Sequence, residues 1–257
     1  SPAVGIFCTG VMLGIFHFQP PIVVFILERL ELVASDIRFQ FRGPKKPGKD
    51  LVIAAIDEKS IDQLGRWPWP YTVQAELINR LRSYGARVIT YDVVFSSSDT
   101  SGGIRNLNRI KTKMEAEGIG RGSATSSFLN QAIKEADHDA IFARSLKRSR
   151  RTILGYFFQF SKKNIGHLNE SQMKQFLANI RSSKYSAIKK SPGVRLKDID
   201  LPRALAVESN IDILSKSARG GAYFSMVPDI DGAIRRYPLI VQYRDLVEIP
   251  GAQDYLF

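Results

Sequence analysis

Two aspartates follow apolar runs that are predicted to form buried β-strands. LVIAAI, residues 51–56, is rich in branched side chains and stops at Asp57. RVITYDVVF, residues 87–95, has the same character and reaches Asp92 near its end. Two such carboxylates can hold a cation or bind a small polar molecule. The alternative is structural, with Asp57 capping a turn toward Ser60 and Asp92 accepting hydrogen bonds from loop amides.

The segment between the two runs predicts how these aspartates are brought together. VQAELINRLRSY, residues 73–84, places four aliphatic side chains on one helical face, and Gly85 ends the helix. Two buried strands joined through a helix imply a right-handed parallel crossover. Ligands of open α/β sheets bind at the carboxyl ends of the strands, so Asp57 and Asp92 are candidates for such a site.

An aromatic loop, GRWPWPY at residues 65–71, connects the first strand to the helix. Its two prolines fix the backbone and its two tryptophans supply rigid surfaces, so an ordered loop is predicted. Trp67 and Trp69 are candidates for a wall that binds a sugar or an organic cation. The alternative is that they pin the loop to the core. Arg66 is a candidate partner for Asp57 or Asp92, or for an anion.

A second acidic motif lies in PDIDGAIRR, residues 228–236. Asp231-Gly232 is a strong turn signal and predicts an antiparallel hairpin. Asp229 and Asp231 are spaced as in a calcium loop, but the remaining ligands of such a loop are missing. Successive side chains on a strand alternate between faces, so at most one of the twin arginines points to a cleft, and Arg235 is the candidate.

These motifs resemble the CHASE2 family, the extracytoplasmic sensor domain of bacterial transmembrane receptors. The resemblance rests on AIDEKSIDQLGRWPWP, GARVITYDVVFS and PDIDGAIRRYPL and covers about residues 36–245. Tyr71 departs from the pattern, because the family usually has arginine or a polar residue there. The resemblance implies a signal anchor before the domain, and a receptor that continues into membrane spans and a cyclase or kinase.

The order of segments predicts an α/β fold with a mixed, largely parallel sheet flanked by helices and closed by the C-terminal hairpin. Residues 1–20 have no charge and are predicted to form a transmembrane helix, truncated at its start. Residues 21–50 form a linker helix and a Pro/Gly linker. Residues 51–245 form the sensor domain, with RRTILGYFFQF as its third strand. Residues 246–257 are a tail that leads to a missing C-terminal part.

The net charge of +12 is concentrated in the middle of the chain. Residues 101–200 hold 20 lysines or arginines and 8 aspartates or glutamates, whereas the rest of the chain has 17 of each sign. Most of this surplus falls in two predicted insertions, residues 101–130 and 161–200. The first is predicted to be partly helical at best, and the second to hold a short helix in QMKQFLANI. Their basic faces are either solvated or in contact with anionic lipid or an acidic partner, and no recognition motif accompanies them to indicate nucleic acid.

The composition also limits the chemistry that the chain can perform. One cysteine, Cys8, cannot form a disulfide within the chain. The three histidines are scattered without cysteine partners, so no zinc site is predicted, and we predict no other metal or cofactor. No nucleophile elbow is present.

Three functional hypotheses follow. The first is the ligand-input domain of a bacterial inner-membrane receptor, with its soluble part in the periplasm, an unidentified small-molecule or protein signal, and a homodimeric or larger assembly. The second is a structural docking subunit of a periplasmic membrane complex, suggested by the basic insertions. The third is a hydrolase that uses Asp57 and Asp92. The chain has no recognisable cyclase or kinase residues, so it is predicted not to be an enzyme, and any output activity is expected on other sequence.

Overall fold

The computed structural model describes residues 2–18, 20–119, 124–183, 201–243 and the backbone of 255–256. The chain divides into two compact units, Ser1–Asp57 and Glu58–Phe257. The division falls close to the start of the sensor domain predicted from the sequence.

The first unit contains two helices, α1 (Pro2–Phe18) and α2 (Pro21–Arg42). Pro21 is the first residue of α2, where its missing N–H and fixed φ angle are tolerated. The Pro20 carbonyl accepts hydrogen bonds from the N–H groups of Val23 and Val24 and so starts the new helix. Gly43 ends α2 with a φ of 66°, a conformation that favours glycine. The predicted linker helix therefore exists.

Within the part of the chain that the structure describes, no single helix has both the length and the apolar character needed to cross a membrane. Only α1 and α2 taken together, as a pair bent at the break between them, meet the length and composition criteria. A transmembrane helix over residues 1–20 therefore stays a prediction.

The predicted first strand is wrong. Residues 51–57 form no strand, and the side chains of Val52 and Ile53 are 83% and 85% exposed. An apolar, branched composition makes a segment suitable for a strand, but a strand forms only through hydrogen bonds to a neighbour. No pairing of this segment is recorded, so the crossover predicted to start from it is not formed.

The second unit contains the remaining elements. Its helices are α3 (Glu58–Leu64), α4 (Tyr71–Ser83), α5 (Ile104–Ala116), α6 (Ala124–Ala136), α7 (His138–Ser149), α8 (Glu170–Asn179) and α9 (Asp212–Ser217). Its strands are β1 (Ile89–Thr90), β2 (Thr152–Gln159), β3 (Arg203–Ala204), β4 (Ala206–Glu208), β5 (Gly220–Tyr223), β6 (Gln242–Tyr243) and β7 (Tyr255–Leu256).

Strand β2, which lies in the predicted third strand, is the centre of the larger sheet. It pairs in parallel with β1 and β5 and antiparallel with β4. In a second sheet, β6 pairs in parallel with β3 and antiparallel with β7. These pairings confirm a mixed sheet in an α/β unit.

A buried asparagine links β2 to the chain that follows β1. The Asn210 amide donates to the Gly155 carbonyl at 2.8 Å, and its Oδ1 accepts from the Phe95 N–H at 2.8 Å. Asn210 is 3% exposed, so its side chain supplies in the core the donor and acceptor that a neighbouring peptide group would supply. The asparagine thereby continues the hydrogen bonding of the sheet beyond the two residues of β1.

Helix α4 forms as the sequence predicts. Its apolar face packs against α7, Ile78 is fully buried, and Gly85 follows the helix with a φ of 90°. One core cluster lies here, built around Ile78, Phe95, Phe142 and Leu154. The other surrounds β2 and β6, and includes Tyr156, Phe158, Val241 and Tyr243.

The predicted C-terminal hairpin is also wrong in its pairing. A tight turn does form, because the Gly232 N–H donates to the Asp229 carbonyl and the Asp229 N–H to the Ala233 carbonyl. The strands on either side nevertheless belong to different sheets, since β5 pairs with β2 and β6 with β3. Strand β5 pairs with β2 over four residues and lies beside a buried aromatic core. An isolated hairpin of two short strands is less stable because it has no such core to pack against.

The basic insertions are more helical than predicted. Helices α5 and α6 occupy most of the first insertion and pack against each other. In the second, α8 confirms the predicted short helix, and a capping box between Asn169 and Gln172 fixes its start. Residues 184–200, with the rest of that insertion, lie outside the described part of the chain.

Candidate functional site

The loop that follows β1 holds a carboxylate among four hydrogen-bond donors. Asp99 accepts from the Tyr71 N–H at 2.7 Å, from the Ser101 N–H at 2.8 Å and hydroxyl at 2.6 Å, and from His138 Nδ1 at 2.9 Å. The Asp99 N–H donates to Asp139 Oδ1 at 2.8 Å. The Asp99 side chain is 8% exposed and that of His138 15%. We name these five residues the clamp.

The clamp joins three elements that are distant in sequence. Tyr71 is the first residue of α4, and His138 and Asp139 lie in the first turn of α7. Asp137 caps α7 by accepting from the Ala140 N–H at 2.9 Å. Carboxylates are favourable at helix N-termini because the free N–H groups there carry partial positive charge. The clamp therefore ties the starts of both helices to the loop after β1.

The surroundings of Asp99 set its charge state. Burial acts to raise the pKa of Asp99, but the hydrogen bonds from Ser101, the Tyr71 N–H and His138 outweigh it and lower the pKa below its usual value. Because an ionised carboxylate only accepts hydrogen bonds, His138 carries a proton on Nδ1. Gly102 packs against the same ring, since a Cβ there would lie 2.8 Å from His138 Nε2 and 2.5 Å from the Ala136 carbonyl oxygen.

The clamp contains serine, histidine and aspartate but is not arranged as a hydrolase triad. In a triad the aspartate and the serine bind opposite nitrogens of the imidazole, so that the ring can take the serine proton. Here Ser101 Oγ lies 3.1 Å from His138 Nδ1, the same nitrogen that binds Asp99. The Ser101 hydroxyl donates its proton to Asp99. This geometry fixes a loop and offers no activated nucleophile.

Tyr71 connects the clamp to the core. Its ring packs edge-on against Phe95 at 5.2 Å and lies 5.4 Å from Phe142, and its hydroxyl donates to the Ser97 carbonyl at 2.6 Å. Burial, together with the negative charges of Asp139 and Asp99, raises the pKa of Tyr71, so the hydroxyl stays a donor at neutral pH. A displacement of Tyr71 in the clamp would therefore alter the packing of Phe95 and Phe142.

The aromatic loop is ordered, as predicted. The peptide bond between Trp67 and Pro68 is cis, and Trp67 packs edge-on against Trp69 at 5.4 Å. Trp69 is 7% exposed and its indole N–H donates to the Gly65 carbonyl at 2.7 Å. These contacts fit the structural alternative for Trp69, while Trp67 is half-buried. The exposed Arg66 has no ion pair recorded with any residue that the structure describes.

The two aspartates that were predicted to end neighbouring strands belong to different units. Asp57 is the last residue of the first unit. Asp92 is exposed in the second unit, just after β1, and its charge adds to burial in raising the pKa of Tyr237. Asp92 therefore lies near the C-terminal segment around Tyr237.

The acidic turn, which we define as Asp229, Asp231 and Arg235, is held by ion pairs. Arg235 binds Asp229 at 3.1 Å and Asp231 at 2.8 Å, and its own side chain is only 10% exposed. The hydrogen bond from Arg235, with a second from the Ala233 N–H, lowers the pKa of Asp231 to about 2. The two carboxylates thus neutralise an arginine here. Among the residues that the structure describes, no three His, Cys, Asp or Glu side chains converge to hold a metal ion.

Comparison with known families decides what this architecture belongs to. A model of the CHASE2 domain matches residues 8–255. The chain belongs to the CHASE2 family. No curated protein and no solved structure matches it. CHASE2 domains are extracytoplasmic sensor domains of membrane receptors, which supports a sensory role for this chain.

No sequence pattern singles out Asp99, the carboxylate at the centre of the clamp in this CHASE2 domain. Asp99 lies in SSSDTSGG, which its composition marks only as a loop. An aspartate two residues before a serine is, however, the spacing of an Asx turn, and Asp99 accepts from the Ser101 N–H. Tyr71, which departs from the CHASE2 pattern, occupies the first position of α4 and holds that loop.

Proposed function

We propose that this CHASE2 domain is the extracytoplasmic input of a bacterial inner-membrane receptor, and that it controls a cytoplasmic cyclase or kinase carried on other sequence. The observation that carries the proposal is the extent of the family match, which begins at residue 8 and so includes most of α1 and all of α2. The helices and the α/β unit thus fall within one family match. A sensor needs such a continuous connection from its ligand site to the membrane.

The clamp is the element that we expect to change between signalling states. The Asp99 carboxylate accepts from the Tyr71 N–H at the start of α4 and from His138 at the start of α7, and the Asp99 N–H donates to Asp139 in α7. Removal of the Asp99 carboxylate would break its hydrogen bonds to the starts of both helices at once. A ligand shifts such an equilibrium only if it binds one of the two states more tightly. We further propose that the receptor works as a homodimer.

The test begins with the native polypeptide from a membrane fraction, with its mass and peptides mapped. We expect a chain well above 28.8 kDa with a cyclase or kinase module. Cyclic-nucleotide synthesis or autophosphorylation is then measured for the wild type and for Asp99→Asn, which we expect to alter the output. Asp212→Asn, at an exposed carboxylate paired with Lys216, is the matched control. A native protein without any output module, alone or co-purifying, would contradict the proposal.

A second candidate function is docking to an acidic protein partner through the first basic insertion. No residue of α5 is buried, and Ile110 in this helix is 47% exposed. In α6, the side chain of Phe128 is 76% exposed. Arg105, Arg109 and Lys113 are exposed at spacings of four residues along α5 and give this helix a row of positive charge. Exposed apolar residues within a charged rim are typical of interaction sites. Phe128→Ser should abolish co-purification of that partner but leave receptor output unchanged, whereas a sensor without a docking role would show neither effect.

A further inference from the structure

A groove of about 260 Å³ lies in the second unit beside β5. Its walls include Tyr156, Tyr223, Tyr237, Gly221, Ala222 and Leu239. Sequence patterns do not single out any of these residues. The groove is distinct from the clamp, and we name it the tyrosine groove.

The aromatic walls of the groove are arranged to receive a flat molecule. The rings of Tyr223 and Tyr237 are parallel to within 7°, with their centroids 5.9 Å apart. Tyr156, 2% exposed, closes the inner side at 6.3 Å from Tyr223, whereas Tyr237 is 42% exposed at the outer side. The groove therefore has a rigid floor and an accessible aromatic wall. Aromatic faces favour offset stacking with other flat rings.

The polar groups of the groove are already engaged within the protein. The Tyr237 hydroxyl donates to the Tyr223 carbonyl, and the Tyr223 hydroxyl donates to the Pro238 carbonyl. Ser183 Oγ donates to the Gly221 carbonyl at 2.9 Å. Each of these hydroxyls has one proton, so it cannot donate to a ligand without losing an internal bond. None of the lining residues that the structure describes carries a charge, which disfavours phosphates, and the internal bonds of these hydroxyls disfavour sugars.

The volume limits the size of the occupant. An apolar cavity of about 150 Å³ holds a benzene ring, so a groove of 260 Å³ has room for a second fused ring. We propose that the tyrosine groove binds a flat, mainly apolar molecule of about two fused rings, in contact with the ring of Tyr237 and with Leu239. This inference rests on the proposed function for its physiological meaning, since such a molecule would be the signal or part of it.

Binding to the full chain is tested with indole as the probe, by saturation-transfer NMR and titration, and with glucose as a polar comparison. We expect indole to bind and glucose not to bind. Tyr237→Ala removes the stacking wall and should weaken indole binding about tenfold. Tyr237→Phe keeps the ring but loses the hydrogen bond to the Tyr223 carbonyl, and it should bind indole nearly as the wild type does.

A second pair of variants protects the test against rearrangement around Tyr237. Leu239, 77% exposed, lines the groove, so Leu239→Ala should weaken binding of indole several-fold. Ile230, 56% exposed in the same segment but outside the groove, supplies the matched control Ile230→Ala, which should have no effect. The inference would be overturned if the wild type did not bind indole or if all variants bound it equally. It would also be overturned if glucose bound and the groove variants weakened that binding.

The outcomes separate this inference from the proposed function. If indole does not bind but Asp99→Asn still changes the output of the native protein, the groove inference fails and the sensory proposal stands. If indole binds in the groove but the native protein has no output module, the groove stands and the sensory proposal fails.

Discussion

The clamp and the acidic turn both use aspartates with lowered pKa values, but they hold the molecule at different scales. Asp99 is nearly buried and binds residues 28 and 39 positions away. Asp231 is more exposed and binds an arginine four positions away. A buried carboxylate that joins distant elements stabilises the tertiary structure, whereas an ion pair between residues of one turn mainly shapes that turn. Position in the fold, more than charge, decides how much each aspartate matters.

The largest effect is expected from Asp99→Ala. The change leaves the Tyr71 N–H and the His138 Nδ1–H without their acceptor in a poorly solvated site, so the free energy of unfolding should fall by about 2 to 3 kcal/mol. Urea denaturation followed by circular dichroism measures this. The matched control, Asp212→Ala on the surface of α9, should be close to the wild type. Equal losses in the two variants would remove the distinction between buried and exposed carboxylates.

The second-largest expected effect is a pH dependence of the free energy of unfolding that arises from Asp99 in the clamp. Because the folded-state pKa of Asp99 lies below its unfolded value, the carboxylate stabilises the fold above about pH 4 and this contribution is lost as the pH falls through the folded value. The stability difference between wild type and Asp99→Asn should therefore be full at pH 7 and shrink below about pH 4. Denaturation curves from pH 7 to pH 3 measure it.

Asp231→Asn is the comparison for that experiment. The folded-state pKa of Asp231 is about 2, so its own contribution falls away between its unfolded value and pH 2. Its exposure lets solvent screen the interaction, and we expect a much smaller difference from the wild type at every pH. A larger acid-sensitive difference for Asp231 than for Asp99 would reverse the ranking of the two sites.

The third effect separates two tyrosines that touch the same phenylalanines, Phe95 and Phe142. The Tyr71 hydroxyl donates to the Ser97 carbonyl, so Tyr71→Phe should cost about 1 kcal/mol. The buried Tyr91 hydroxyl has no hydrogen-bond partner among the residues that the structure describes. Tyr91→Phe should therefore leave stability unchanged or raise it. Thermal unfolding of both variants decides this, and a loss in Tyr91→Phe as large as in Tyr71→Phe would contradict it.

The smallest effect is expected in the acidic turn. Arg235→Gln removes the ion pairs to Asp229 and Asp231 and should lower Tm by about 2 °C, with the difference shrinking in 1 M NaCl. Arg80→Gln, which removes an exposed pair with Glu76, is the control and should show no shift. A Tm loss in Arg235→Gln that does not depend on salt would indicate a packing role for the arginine.

The sequence predicts those elements whose pattern alone determines them. Helix α4 follows from its aliphatic face and from Gly85, and β2 follows from a long apolar run that ends up paired on both sides. LVIAAI has the same apolar character but forms no strand. A strand needs a partner, and the composition of a segment does not determine which partner it pairs with. The hairpin prediction fails for the same reason, since the turn is local whereas the partners of β5 and β6 are not.

The candidate site was less predictable than the fold. The sequence pattern singles out Asp92 near the end of the predicted strand, whereas the carboxylate that the structure surrounds with hydrogen-bond donors is Asp99, seven residues further along the chain. Its role depends on His138 and Tyr71, which come from separate helices. A site assembled from three distant segments has no characteristic spacing by which the sequence alone could reveal it. Only the tertiary structure shows that these residues meet.

The side chain of Asn210 has a consequence for the order in which the domain matures. Its partner Phe95 lies 115 residues earlier. At ribosomal rates of about 5 to 20 residues per second, roughly 6 to 23 seconds separate the synthesis of these two residues. Throughout that interval the Phe95 N–H lacks its Asn210 acceptor, and the Gly155 carbonyl, made 55 residues before Asn210, lacks its donor during the later part. This part of the interior therefore closes only after residue 210 has been made.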